Sequence, residues 1–421
     1  MAAPAVQNVI VVGAGIIGVA TAHHLSRLSP ALTIHLLDSS PSLFASASGQ
    51  AAGFLARDWF RRATASLGAL SFDLHRQLAE EHDGARRWGY SPSTAFSLPE
   101  ARTPPNGKKG EDWLLEGRSR STSATVADAD RDGPTPVLPR WLAAGRDDTA
   151  HSPAEPVSSW STTAQVNPSE LCQFLLDQCR SRNVHVHHPV TATGLVSSPP
   201  GDAITGLSVR SRDGSERVMP CDALVLTAGV WTPRVFSTLF PNATVSLPIS
   251  HLSGHSVVLR SPHWKATEPP AHSTTTGCHA IFTTDSDADC SPEIFSRLGG
   301  DIYLAGLNTM AIPVPELASE VQPEPASIEV LIRIARKLLG EDQLVVLRTG
   351  FCHRPVFNGA APLLTTLTPD QTGVNLHGGI WVSAGHGPWG ISLSLGTGLV
   401  LAELVLRKDP SADVSRLGLC T

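Results

Sequence analysis

The chain has 421 residues, nearly three times a single domain of about 150, so two domains are the expectation. Its 32 Lys and Arg stand against 38 Asp and Glu, a formal net charge of -6, which gives no electrostatic basis for nucleic-acid or anionic-membrane binding. The 35 glycines and 33 prolines exceed an ordinary share but fall short of a low-complexity chain, and a loop-rich globular protein is expected.

Residues 8–38 read as an apolar strand (Asn8–Val12), a glycine turn, a helix (Ile17–Leu28) and a second strand (Thr33–Leu37). The turn is Gly13-x-Gly15-x-x-Gly18, and Asp38 ends the second strand twenty residues beyond Gly18. Glycines at that spacing permit a tight turn and close approach to a pyrophosphate, the helix start faces the anion, and the carboxylate accepts ribose hydroxyls. A bound dinucleotide follows from the whole arrangement; a glycine-rich structural turn is its other reading. Just beyond the acid, Ser46-Ala47-Ser48-Gly49-Gln50-Ala51-Ala52-Gly53 offers small side chains and bare amides that suit the close lining of a flat ring system; a mobile serine and glycine loop is its other reading.

Residues 99–161 change character, with proline clusters and a Ser/Thr/Arg run, and read as an irregular insertion tethered by Trp113, Trp141 and Trp160. Order returns at Ser169, read as an N-cap before the stripe Leu171, Leu175 and Leu176, followed by a strand over Val184–Val190. The strand Ala223–Leu226 runs into Thr227-Ala228-Gly229. Strand-like pieces at Ser256–Leu259, Ala280–Thr283 and Ile302–Leu304 precede a helix over Ile328–Leu339, a last strand at Gly379–Ser383 and an apolar helical tail at Leu393–Leu406.

The cysteines at 172, 179, 221, 278, 290, 352 and 420 form no C-x-x-C pair and are odd in number, which points to a reduced, intracellular chain. The apolar run Val9–Ala22 is broken by glycines and has no preceding Lys or Arg, so neither a secretory leader nor a membrane span fits. The C-terminal Gly418-Leu419-Cys420-Thr421 matches no targeting signal, and a cytoplasmic location is the default. No metal site is expected: Asp285-x-Asp287-x-Asp289 has Cys290 where a calcium loop needs glycine, and His185, His187 and His188 have no acidic or cysteine neighbour in sequence.

The segments VIVVGAGIIGVATAHHL, LLDSS with SASGQAAGFLARDW, AQVNPSELCQFLL, DALVLTAGVWTP, HRPV and GGIWVSAGHGPWGISLSLGTGLVLAEL together resemble the FAD-dependent oxidoreductases of the D-amino-acid oxidase family, which includes glycine oxidase, monomeric sarcosine oxidase and the fructosyl-amine oxidases. ARDW and GHGPWG are most similar to fungal-type members. The resemblance spans residues 8–406 and lapses at the insertion. It implies an α/β protein whose Rossmann-like FAD-binding domain (1–98, 162–245 and 345–421) is interleaved with a sheet-rich substrate domain (246–344 plus parts of 60–98).

Carried over by residue, the resemblance implies FAD contacts from Gly13, Gly15, Ile16, Ile17, Gly18, Asp38 and Ser39. It implies further contacts from Ser48, Gly49, Gln50, Ala51, Ala52, Gly53 and Phe54. Val190 would meet the adenine, and Ala228, Gly229 and Trp231 the ribose and flavin side. Gly385, His386, Gly387, Pro388, Trp389, Gly390 and Ile391 would wrap the isoalloxazine, with the last helix presenting its positive end to it. Arg354 matches the arginine that holds a substrate carboxylate; a buried structural arginine is the other reading. His386 reads as a loop-stabilising hydrogen bonder or a base. Cys352 matches a cysteine joined to the flavin as a thioether in sarcosine oxidase and the fructosyl-amine oxidases; a small buried thiol is the alternative.

The function implied is oxidation of the C–N bond of an amino acid or secondary amine, with hydride passing to the flavin and oxygen as acceptor to give hydrogen peroxide. The oxygen-activating lysine of monomeric sarcosine oxidase has no counterpart, since no Lys or Arg lies between Leu304 and Val330. Two alternatives stay open: an FAD-bound protein with little turnover and an interaction or trafficking role, and a biosynthetic amine dehydrogenase.

Overall fold

Apolar runs that are hydrophobic at every position need cover on both faces, and those runs assemble here into one largely parallel sheet. The protein is described by a computed structural model over residues 6–98, 138–145, 154–197, 203–264, 277–357 and 361–419. The sheet has six strands in the order Leu363–Leu367, Ile380–Ala384, Ala223–Leu226, Asn8–Val12, Thr33–Leu37 and Val184–His187. Every adjacent pair is parallel except the first.

Alternation divides its side chains between two cores. Val9, Val11, Ile34, Leu36, Ala223 and Val225 face a layer of helices, Ile16–Leu28, Ala65–His82, Pro168–Arg180 and Gly390–Val405. Ile10, Val12, Leu37, Leu224, Leu226 and Val382 face an antiparallel meander, Val190–Ser197, Ile204–Ser211 and Glu216–Pro220. The final helix is apolar around its circumference because it is core: Gly387–Val405 is long and apolar enough to cross a membrane, yet most of it is buried inside the fold.

A nine-stranded sheet forms the second unit, with main order Val345–Val356, Ser250–Arg260, Asp301–Thr309, Glu293–Ser296, Cys278–Thr283, Ser91–Leu98, Thr163–Gln165 and Phe54–Ala56, and Glu155–Pro156 paired beside Ser91–Leu98. Helix Pro325–Leu339 covers its outer face, setting Leu331, Ile334 and Leu339 on Val257, Leu259, Ile302 and Leu304. The residues between, such as Tyr303 and Ala305, therefore point the other way, toward the first unit.

Several boundaries differ from the sequence reading. Val345–Val356, assigned there to the cofactor half, is a strand of the nine-stranded sheet, paired with Ser250–Arg260 in the register Leu252 to Arg354. The strand read as Val184–Val190 is two: the first ends at His187, Pro189 has no N–H to extend the ladder, and Val190 opens the meander. The helix expected at Ser169 starts at Pro168, with Asn167 at the N-cap position and no side-chain bond from it to the first turn. The helices read from Ile328 and Leu393 start at Pro325 and Gly390. Within the 99–161 stretch, Trp141 is buried in the core under helix Pro325–Leu339, and Trp160 packs on Gly277. Trp113 lies outside the described residues.

Burial of His23, His24, His75, His279 and His386 lowers their pKa values to about 2, 4, 4, 4 and 3. A folded pKa below the ordinary 6.5 means that the native state binds fewer protons than the unfolded chain. The stability is then complete above about pH 6.5 and is lost as pH falls toward the folded values, by about 1.4 kcal/mol per histidine per pH unit. Buried Asp38, with its pKa raised, opposes this over the carboxylate range only. The melting temperature is expected to be level from pH 8 to 7 and to drop steeply from pH 6 to 4.5. A scanning-fluorimetry series flat across that window would contradict the neutral buried histidines.

Candidate active site

A long cleft lies between the carboxyl ends of the parallel strands, marked by Val12, Leu37, Thr227 and Ala384, and the inner face of the nine-stranded sheet. Open parallel sheets offer their binding crevice at that edge.

At one end, Gly13 takes φ +105°, and a Cβ there would stand 2.6 Å from the Ala228 backbone, so two turns meet main chain to main chain. Thr227 Oγ1 donates to Gly13 O at 3.0 Å, closing the junction. Gly18 sits behind the turn, where a Cβ would lie 1.9 Å from Gly13 O; it sets how closely the helix packs and does not line the cleft. Gly15, Ile16 and Ile17 line it, and Ile16 N donates to Ser48 Oγ at 2.9 Å.

Asp38 faces the cleft with Ser39 while its carboxylate accepts from Ala14 N at 2.9 Å and Ser40 N at 2.8 Å. Burial raises its pKa, and those two amides pull it back. A carboxylate has about four acceptor positions, so a diol finds acceptors there besides the backbone ones. Val190, Thr191 and Ala192 border this end.

The middle is lined by Ser48, Ala51, Ala52, Gly53 and Phe54 on one side and Ala228, Gly229 and Trp231 on the other. Trp231 Nε1 is fixed to Pro315 O at 2.8 Å. Gly49 is turned away against Phe44 O, and the Gln50 side chain lies toward Gly350. His386, Gly387, Pro388, Gly390 and Ile391 line the cleft before the last helix, whereas Gly385 packs on Phe357 and Trp389 stacks into Phe60, Trp59 and Phe54 behind the wall. His386 Nε2 is 3.2 Å from Thr397 Oγ1, and burial drops its pKa to about 3. It is neutral at physiological pH and a very weak base; the contact with Thr397 ties the loop to the helix.

The far wall carries Cys352 and Arg354, two apart on one strand and so on one face. Arg354 Nη1 donates to Asn308 Oδ1 at 2.8 Å. Burial raises the Cys352 thiol pKa, while the Arg354 and Arg348 guanidiniums act to lower it. Sequence reading missed Tyr303, Ala305 and Glu293 on this wall. Tyr303 is one of two tyrosines in the chain and sits in an expected strand, so period-two alternation opposite Ile302 and Leu304 was its signal. Glu293 follows Pro292 in a four-residue strand and carried none.

Among the described residues no group of three His, Cys, Asp or Glu is arranged to hold a metal ion. His35 Nδ1 lies 3.1 Å from His187 Nε2, whose ring is met by Arg217, and Asp285 is paired with Lys337 at 3.0 Å.

The geometry fits a long cofactor with a phosphate middle: a glycine turn at a helix start, an acid for a diol, and a wide apolar and amide-lined slot beyond. A family model described as FAD dependent oxidoreductase matches residues 8–404. The Schizosaccharomyces pombe oxidoreductase-like protein C1F5.03c is 26% identical, over 95% of this chain and 94% of that one. A D-amino acid dehydrogenase of Dechloromonas aromatica is 23% identical, over 57% of this chain and 49% of its own length. The crystal structure of glycine oxidase from Geobacillus kaustophilus superposes with a TM-score of 0.70 at 20% identity, covering 98% of this chain and 99% of that one, which shows a shared fold.

Asp38→Asn retains the shape of the acid and removes its charge. A charge-assisted hydrogen bond contributes about 1.5–3 kcal/mol, so FAD binding to the apoprotein should weaken roughly ten- to hundredfold. Flavin fluorescence quenching measures it; unchanged affinity would place the ribose contact elsewhere.

Proposed function

The chain belongs to the FAD-dependent oxidoreductase family, and we propose that it oxidises the C–N bond of an amino acid or secondary amine. The observation that carries this reading is the pairing, in one cleft, of a dinucleotide turn with a sheet face bearing Arg354. Two proteins similar to this chain, a glycine oxidase and a D-amino acid dehydrogenase, support an amino-acid substrate.

Arg354 is held on one side by Asn308, which fixes the plane of its guanidinium. A planar fork grips a carboxylate through two parallel charge-assisted bonds and so sets the direction of the rest of the substrate. Held there, the carbon bearing the amine faces the slot walled by Gly387 to Ile391. The chemistry that FAD supplies when bound is hydride acceptance from that carbon, with oxygen as final oxidant and hydrogen peroxide as product. His386 takes no proton, since burial keeps it neutral. The amine therefore arrives uncharged, and the imine formed is hydrolysed by water.

The test is peroxide release across a panel of amino acids and amines, with a dye acceptor run in parallel. Arg354→Lys should raise KM for carboxylate-bearing substrates at least tenfold more than for simple amines. Equal losses on both would return Arg354 to a structural role, and dye reduction without peroxide would make the enzyme a dehydrogenase.

Cys352 is also proposed as a covalent anchor for FAD. Its support is a position on the cleft wall two residues before Arg354; burial, which raises the thiol pKa, is offset in part by the two arginines. The bond would replace the thiol hydrogen and one methyl hydrogen, with oxygen taking up the two electrons and two protons; denatured wild-type protein should keep its yellow colour and gain the mass of FAD less two hydrogens, and denatured Cys352→Ser should release the cofactor. An intact mass equal to the bare polypeptide would reject the bond and leave non-covalent binding standing.

A further inference from the structure

The loop lining the middle of the cleft is held from behind by the other sheet. Four successive carbonyls accept side-chain hydrogen bonds: Gly49 O from Arg348 Nη1 at 2.9 Å, Gln50 O from Tyr303 Oη at 3.3 Å, and Ala51 O and Ala52 O from Arg297 Nη2 at 3.2 and 2.8 Å. Gln165 Nε2 adds a second bond to Ala52 O at 2.7 Å. In a trans peptide the N–H points opposite the C=O. Drawing these carbonyls toward the sheet turns the amides of Ala51, Ala52 and Gly53 toward the other side, where the same residues line the cleft.

Two of the donors are cations, Arg297 buried and Arg348 half-buried. Arg297 is only 6% exposed, and its guanidinium lies over the Tyr303 ring at 5.2 Å. Among the described residues neither Arg297 nor Arg348 has a carboxylate within 4.0 Å, and Arg297 Nε has no hydrogen-bond partner. Asp301 and Glu170 act on Arg297 only over longer distances, and the two arginines repel one another. Buried charge of one sign without a close counter-ion is expensive, and pinning a loop does not require it, as neutral Gln165 shows. Fixed positive charge in a dry site stabilises negative charge that develops beside it.

We propose that Arg297 and Arg348 are positioning residues with two roles: they lock the Gly49–Ala52 loop so that its amides face the cofactor, and their charge favours the reduced, more negative form of bound FAD. The inference rests on the FAD reading of the cleft. It extends that reading to residues on the substrate sheet that lie behind the loop and do not touch the cofactor pocket themselves.

The experiment compares holoenzyme carrying Arg297→Gln or Arg348→Gln, which retain an amide donor, with Arg297→Lys and Arg348→Lys, which retain the charge. The readouts are the two-electron midpoint potential by spectroelectrochemistry and the FAD dissociation constant. Each Gln variant should lose about tenfold in its preference for reduced over oxidised flavin, a fall of about 30 mV for a two-electron couple. The Lys variants should recover most of that fall while binding FAD less tightly than wild type. Gln variants at the wild-type potential with flavin bound would overturn the electrostatic role, as would Lys variants shifted as far as Gln. If a Gln variant does not fold, the Lys variant decides: a potential near wild type supports the charge, and a Gln-like fall of about 30 mV overturns it. Wild-type protein that binds no FAD would defeat the underlying reading, and it is recognised before any variant is made.

Discussion

The contact on which the molecule depends is the meeting of the Gly13 turn with the Thr227–Ala228 turn, where no side chain has room to stand. Asn8–Val12 and Ala223–Leu226 are register neighbours, Val12 opposite Leu226, so the turns that follow them must share one small space at the sheet edge. Because Gly13 carries no Cβ, the backbone passes through that space, and Thr227 Oγ1 caps Gly13 O. The helix then starts at Ile16 with its open end at the cleft, and Asp38 binds Ala14 N from the next strand. A residue with a side chain at Gly13 would push two parallel strands apart, and with them the crevice.

The second constraint is that the cleft has one wall from each sheet, while the chain crosses between the sheets repeatedly. Phe54–Ala56 follows directly on the cofactor loop and belongs to the nine-stranded sheet, and Val345–Val356 leaves that sheet only a few residues before Leu363–Leu367 joins the other. The first of these crossings, from Ala51 to Phe54, lines the cleft itself. This makes the two units hard to separate: moving one sheet against the other would break the side-chain bonds to Gly49, Gln50, Ala51 and Ala52.

What could be read from the sequence was local. The glycine spacing, Asp38 and the apolar runs lie within a few tens of residues of one another, and their periods reveal both the strands and the helix between them. What could not be read depends on pairing across long stretches of chain. Arg297 and Arg348 reach a loop about 250 and 300 residues earlier, and an isolated arginine in sequence does not disclose that its partners are carbonyls. That Val345–Val356 pairs into the nine-stranded sheet is not legible either, because nothing in its exposed Val345-Val346-Leu347 start shows which sheet it joins. Pro189 is a cue the sequence does carry, since it follows the edge strand of one sheet just before Val190 starts another.

The polarity of the cleft follows from how its groups are buried. Asp38 stands at one end, braced by backbone amides, while Arg354 lies on the far wall and Arg297 and Arg348 stand behind the loop that lines the middle. Apart from Glu293 on the far wall, the rest of the lining carries little charge. His386 is neutral through burial, Cys352 has its thiol pushed toward the protonated form, and most of the remaining wall is glycine, alanine and serine. A long cofactor with a diol at one end and a ring that becomes more negative at the other therefore has one favourable direction in the cleft. In that direction the ring would lie toward the wall that carries Arg354. The two proposals made above, an arginine grip on an anionic substrate group and a fixed positive charge favouring the reduced cofactor, thus draw on one and the same cationic sheet.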